Sequence, residues 1–303
     1  MGSLKDSTWQ NDPNAHNQAG IPSAGAGFPS LPLHRELQHQ IMKTALAILL
    51  RWLGFNRPEP KTPLGRNLRR AERTLTVLAL LYAGLQVFPQ VLFAHSVTAN
   101  GISIYSRSPL PPEAAACAAR AAALVQQSEL AVLGRRERVF VCNSPWLFRL
   151  FNPRSHGAFA VRVSLTGNVF VADGDFQSDT ARRSSPEFNT RKLSSVMAHE
   201  ITHGLIRHRL GLWRGTLLPA WVDEGYCDYV ARESSFPEVE GLRRLASGER
   251  DPSSSFRYFE YRQMVRYLLE VKQLSFAQAV SKAGDAGSVA QEMREWIQAR
   301  QSP

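Results

Sequence analysis

Apolar positions divide the chain into unlike parts. Residues 1–38 are rich in Gly, Ser, Pro, Asn and Gln and carry no hydrophobic period, which predicts a disordered tail. Helical spacing returns with Ile41, Ala45, Ile48, Leu49 and Trp52, and Lys43 and Arg51 lie off that stripe. So short a stripe suits a helix lying on a membrane surface or one packing on its own domain. Residues 39–73 are accordingly expected to form an amphipathic, basic juxtamembrane segment, Pro-rich at 56–63. Residues 74–94 then contain no ionisable side chain other than Tyr82. At about 1.5 Å per residue this run reaches roughly 30 Å, the thickness of a bilayer core. One transmembrane helix over residues 74–95 is the expectation, with a buried helix of a soluble domain as the alternative. Pro89 is tolerated in a membrane helix. A cleaved signal peptide, with 97–99 as its small-residue site, would need an n-region of more than seventy residues.

Beyond the apolar run, an Ala-rich helix is expected within residues 111–133 and a short apolar strand at 138–142. Residues 159–164 and 168–172 read as two strands joined by a turn at Leu165, Thr166 and Gly167. A mostly polar loop, 173–189, leads to a helix over 190–207. A second helix begins after Pro219, a residue suited to a first turn, and a third covers 255–271. Helix, small sheet, then helices predicts one α+β domain over residues 96–303.

Charge adds an orientation. The net charge of +10 arises from 36 Lys and Arg against 26 Asp and Glu. Lys61, Arg66, Arg69, Arg70 and Arg73 precede the apolar run against one acid, Glu72. Cations on that side predict a cytoplasmic N-terminus and an extracytoplasmic domain, periplasmic or at the cell surface. Arg182, Arg183, Arg207, Arg209 and Arg214 are dispersed, so no nucleic-acid partner is expected. Cys117 and Cys142 would be free to pair outside the cytoplasm, or to lie buried as separate thiols.

The helix over 190–207 contains His199, Glu200 and His203 in the order His-Glu-x-x-His. Positions four apart on a helix differ by about 40° of rotation, so both imidazoles project from one face. Neutral imidazole is a favoured zinc ligand, and a catalytic zinc takes three protein ligands plus water. Glu200 lies about 100° round from His199 and can reach a water without being a ligand. Taken alone, the five residues are also compatible with two surface histidines on a basic helix.

Downstream stand Trp221, Glu224 and Gly225 as Trp-x-x-Glu-Gly, with 20 residues between His203 and Glu224. Over residues 190–268 the chain resembles the gluzincin metallopeptidases, the group containing thermolysin and the zinc aminopeptidases. The resemblance implies a zincin-like fold: a small, mostly antiparallel sheet plus active-site helices. It implies Glu224 as the third zinc ligand and Asp228, one turn on, as the group that fixes the tautomer of His199. Cys227 sits beside this set, which closes without it. The register from Tyr258 to Leu268, with Val265 where the family has Leu, implies Tyr258 as the oxyanion donor. Tyr261 and Tyr267 are rivals for that role, and His208 is a further candidate. Residues 167–171 are the expected edge strand for an extended peptide. The family's Gly-x-Met-Glu-Asn motif, which grips a free amine in aminopeptidases, does not occur in this sequence, which points to cleavage within chains.

The expected activity is therefore zinc-dependent peptide-bond hydrolysis with Glu200 as general base, Zn2+ as cofactor and a peptide or protein as substrate, on a single membrane anchor. The alternative is a catalytically silent, zinc-binding scaffold or regulatory domain of the same fold.

Overall fold

The computed structural model describes residues 60–153 and 157–301, with Lys43, Thr44, Ala47 and Arg51 ahead of them. The expected tail over 1–38 and most of the stripe at 41–52 lie outside the described residues. The chain divides into two compact units, Met1–Val77 and Leu78–Pro303. In the first, helix α1 (Pro63–Val87) begins where Thr62 Oγ1 accepts the Gly65 N–H at 3.1 Å, which satisfies one open amide of the first turn.

Helix α1 continues into the second unit and ends at Val87, short of the expected span. Pro89, itself buried, opens a 3-10 turn (Pro89–Leu92). The Phe93 ring packs 5.0 Å from that of Phe140. Tyr82 donates to the Leu150 carbonyl at 2.8 Å, and Asn168 donates to the Gln86 carbonyl at 2.9 Å. The apolar helical run is therefore residues 74–87, roughly 21 Å long. Among the described residues no helix is long and apolar enough to cross a membrane. The single helix expected over 74–95 is corrected on this point: its last third is the proline turn and aromatic packing of the second unit.

Strands β1 (His95–Ala99) and β2 (Ile102–Ser106) form an antiparallel hairpin. Helix α2 (Glu113–Gln126) carries the chain over to β3 (Glu137–Val141), which is parallel to β2. After α3 (Pro145–Phe151) come β4 (Ala160–Arg162) and β5 (Val169–Val171), an antiparallel pair in which Ala160 faces Val171. The main sheet has the order β1-β2-β3-β5-β4, and β3 and β5 are parallel. It is therefore mixed where the expectation was mostly antiparallel, because helical crossovers return the chain in the same direction. A second, three-stranded antiparallel sheet takes up the stretch expected as a polar loop with β6 (Asp173–Asp175) and β7 (Thr180–Arg182), and with β8 (Thr190–Lys192) the first three residues of the helix expected over 190–207.

The remaining elements are helical: α4 (Leu193–Leu210), α5 (Leu212–Thr216), α6 (Ala220–Ala231), α7 (Glu238–Ser247), α8 (Ser254–Arg266) with a π-helical turn (Tyr267–Val271), α9 (Phe276–Ser281) and α10 (Ala286–Gln301). The protein is thus α+β. Val139, Val141, Val169 and Val171 face α2 and α4, packing with Ala118, Ala121, Met197 and Ile201. The intervening Phe140 and Phe170 face the opposite way, onto Leu147, Phe148 and Phe151 of α3. Burial on both faces explains why these strands read as continuous apolar runs. Helices α6 and α8 share a third core around Trp221, Tyr226, Phe259 and Met264.

Candidate metal centre

Helix α4 carries His199, Glu200 and His203, and neighbours fix its position on either side of them. At its start, the Asp179 carboxylate accepts the Ser194 N–H at 2.8 Å and the Ser194 hydroxyl at 2.7 Å. A carboxylate there satisfies open amides and complements the helix dipole. Past His203, Gly204 lies against the guanidinium of Arg162, in space that a Cβ would occupy. Gly225 on α6 likewise lets the Tyr261 carbonyl approach, since an added Cβ would stand 2.5 Å from that oxygen. The glycine of each motif thus brings the metal helix against the sheet edge, and α6 against α8.

Asp228 Oδ1 lies 2.7 Å from Nδ1 of His199, and Asp223 Oδ1 lies 3.0 Å from Nδ1 of His203. A carboxylate has no proton to give, so each imidazole donates through Nδ1 and turns Nε2 toward Glu224. Both Nε2 atoms approach one oxygen: Glu224 Oε2 is 3.2 Å from that of His199 and 3.7 Å from that of His203. Donor atoms around a tetrahedral zinc with bonds of about 2.0–2.1 Å stand about 3.3 Å apart, and the two distances to Glu224 are close to that spacing. Without an ion the donors share protons instead. Burial opposes charge on His199, but Asp228 and Glu224 outweigh it and hold its pKa up at about 9. Burial likewise opposes charge on Glu224, and the two histidines more than offset it, holding that carboxyl far below the usual range.

Behind Asp228, buried Arg191 forms an ion pair with Oδ1 at 2.9 Å. The same guanidinium donates to the Glu233 carbonyl at 2.9 Å. Burial works against the charge of Asp228, and Arg191 and His199 keep it ionised.

His199, Glu200, His203, Glu224 and Tyr258 all line one cleft of about 280 Å³, while Asp228 stands buried behind His199. Of the rival oxyanion donors, Tyr267 turns its hydroxyl to Glu292 at 3.2 Å and His208 lies exposed at the end of α4. Neither these two nor Tyr261 is among the residues lining the cleft. The strand beside the site is β4, whose residues line the cleft together with Ala158 and Phe159. The edge role expected for residues 167–171 passes to β4, because β5 is flanked by β3 and β4. Cys117, Cys142 and Cys227 are separate buried thiols.

Two close clusters of potential ligand atoms occur here, His199–His203–Cys227 and His203–Asp223–Glu224. Asp223 serves Nδ1 of His203, which places it behind the ligand atom rather than at the metal. Burial pushes the Cys227 thiol far up, whereas Glu224 is ionised and reaches the cleft. Of Glu224 and Cys227, Glu224 is the one that lines the cleft. Asp223 and Arg191 had no motif to mark them. The one signal for Asp223 was its place beside Glu224 on a helix that faces the histidines.

No protein-family model matches the chain, and no curated protein matches it.

Proposed function

We propose that this protein is a zinc-dependent peptidase of gluzincin type. The observation that carries the reading is the convergence of both Nε2 atoms on Glu224 while both Nδ1 atoms are held by carboxylates. His199, His203 and Glu224 would hold the metal, which when bound acidifies a water and polarises a carbonyl. Glu200, at the same cleft and outside the ligand set, accepts the proton of the attacking water and delivers it to the leaving nitrogen. The Tyr258 hydroxyl donates to the carbonyl oxygen as it gains charge. An extended chain would pair with β4, which is antiparallel to β5 and has its other edge open in the sheet order.

Metal content and peptide cleavage by the full-length chain test this directly. One equivalent of zinc and chelator-sensitive cleavage are expected, and a metal-free chain that still cleaves would sink the reading. The His199–His203–Cys227 cluster supports a second reading, a closed structural zinc site without turnover. Zinc lost in Cys227→Ser and kept in Glu224→Gln would favour it.

A membrane address accompanies the proposal. In the first unit none of the described residues of α1 is buried, and Leu64, Leu68 and Leu75 are largely exposed beside the cations Arg66 and Arg70. Such a helix suits an anionic lipid surface. Salt-sensitive sedimentation with phosphatidylglycerol vesicles, weaker with phosphatidylcholine, is expected, and equal sedimentation with both would remove the electrostatic part.

A further inference from the structure

Four guanidiniums line the cleft: Arg162, Arg183, Arg191 and Arg207. Two of them are neutralised from behind. Arg162 donates to Glu137 at 2.9 Å, both side chains being almost wholly buried, and Arg191 forms an ion pair with Asp228. The other two form no ion pair among the described residues. Arg207 stands one turn past His203, and its Nε and one Nη are buried with no hydrogen-bond partner. Arg183 is positioned rather than neutralised: it donates to the Ser255 hydroxyl at 3.0 Å and stacks 4.8 Å over the Phe159 ring. Its Nε too is buried without a partner. Burial and the neighbouring charge of Arg191 depress its pKa, the signature of a cation short of a counter-charge.

Three of the site's acids are committed elsewhere, and the fourth, Glu200, forms no ion pair with either guanidinium. Asp223 and Asp228 hold the imidazoles, and Glu224 stands between the two Nε2 atoms. The positions of Arg183 and Arg207 bracket the metal ligands. His199, His203 and Arg207 recur every four residues on one face of α4, about 6 Å apart along its axis. Arg183 adjoins the other end, since it shares the Phe159 ring with Arg191, and Arg191 holds the partner of His199. A guanidinium presents paired N–H donors that match a carboxylate, and a buried unpaired N–H is costly until such an acceptor arrives.

We infer that the cleft selects peptides bearing a carboxylate close to the scissile bond, with Arg207 and Arg183 as the residues that determine this specificity. The inference rests on the peptidase reading above. The carboxylate comes either from an acidic side chain or from a free C-terminus, and both offer the same two oxygens.

The test uses the zinc-loaded full-length chain and matched peptides carrying Glu or Gln at each position, each with a free or an amidated C-terminus. A kcat/KM about tenfold or more higher for the acidic member, carried mainly by KM, is expected. A Glu-over-Gln preference that survives amidation assigns the side chain, and a rate that falls on amidation alike for Glu and Gln peptides assigns the C-terminus. Arg207→Gln and Arg183→Gln should each reduce the acid-to-neutral ratio by about tenfold, and Arg207→Lys should restore part of it. The exposed Arg209→Gln should leave the ratio alone. Rates that are equal for Glu and Gln peptides and also equal for free and amidated C-termini would overturn the inference and leave the peptidase reading standing. Should no peptide be cut, binding of the same labelled peptides to zinc-loaded Glu200→Gln decides separately. Tighter binding of the acidic peptide, lost when Arg207→Gln is added, supports the specificity without the hydrolysis, and equal binding overturns it.

Discussion

Asp223 Oδ1 lies 3.0 Å from Nδ1 of His203, the counterpart of the 2.7 Å contact between Asp228 and His199. Both imidazoles are thereby locked as Nδ1–H tautomers by carboxylates of one helix, α6, which also supplies Glu224. Asp223→Asn and Asp228→Asn should each weaken zinc binding by about 10- to 100-fold, read by competition with a chromogenic chelator. The two sites differ in what lies behind them. Asp228→Ala also strips buried Arg191 of its closest carboxylate and should cost about 3–5 kcal/mol in urea unfolding. Asp223→Ala leaves no such charge and should cost much less. Equal losses would contradict this asymmetry.

Glu200 and Tyr258 share the cleft without belonging to the ligand set. Glu200→Gln should retain a full equivalent of zinc while kcat falls about 100- to 10,000-fold, the range of a positioned general base. Tyr258→Phe should lower kcat about 100-fold with little change in KM, as expected of a donor engaged in the transition state. Tyr267→Phe, whose hydroxyl meets Glu292, should leave kcat near wild type. A Tyr258→Phe enzyme of full activity would return the role to another residue.

How much of this was legible in the sequence follows from the range of each interaction. His199 with His203, and Glu224 with Asp228, are each one helical turn apart, so the sequence puts each pair on one face, while the meeting of the two helices is tertiary; the turn at Gly167 placed the β4–β5 pair. The end of α1 was not legible. Residues 88–94 are as apolar as those before them, and only tertiary packing of Phe93 on Phe140 shows that this apolarity belongs to a core. Strands β6, β7 and β8 are three residues each and polar on their exposed faces, so they offer too few positions for a period of two. The direction of β2 against β3 depends on a crossover that hydrophobic pattern does not record. Arg183 and Arg207 looked like solvated surface because nothing local distinguishes a guanidinium in a cleft from one in water.

Asp179 ties the start of α4 to α2. It accepts from Ser194, from the Cys117 thiol at 3.1 Å and from Arg120 at 3.0 Å. Burial pushes its pKa up, but these donors outweigh it, and the net value lies below the ordinary 3.8. A depressed folded pKa means stability that is complete above the unfolded value and is lost as pH falls through the folded one. Asp179→Asn should therefore cost about 1–2 kcal/mol at neutral pH, with the gap to wild type closing as the pH is taken below about 3.8. Urea unfolding of both proteins across that range is the measurement. A gap that stays constant with pH would mean that the carboxylate charge plays no part.

Gly204 and Arg162 should be energetically coupled, because one occupies the space that the other would need. A Cβ on residue 204 would run into the Arg162 guanidinium, which is not free to swing away: it is almost wholly buried and paired with Glu137 at 2.9 Å. Gly204→Ala should therefore destabilise by about 1–3 kcal/mol, as overpacking against a held neighbour does. It should also lower activity, since the strain is delivered to β4 at the cleft wall. Truncating the obstacle removes the clash but leaves Glu137 short of a partner, so Arg162→Ala is destabilising by itself. In Gly204→Ala/Arg162→Ala the new methyl meets open space, and the double variant should be more stable than the sum of the singles by about 1–2 kcal/mol. Strict additivity in urea unfolding would show that the glycine is required for some reason other than the approach of Arg162.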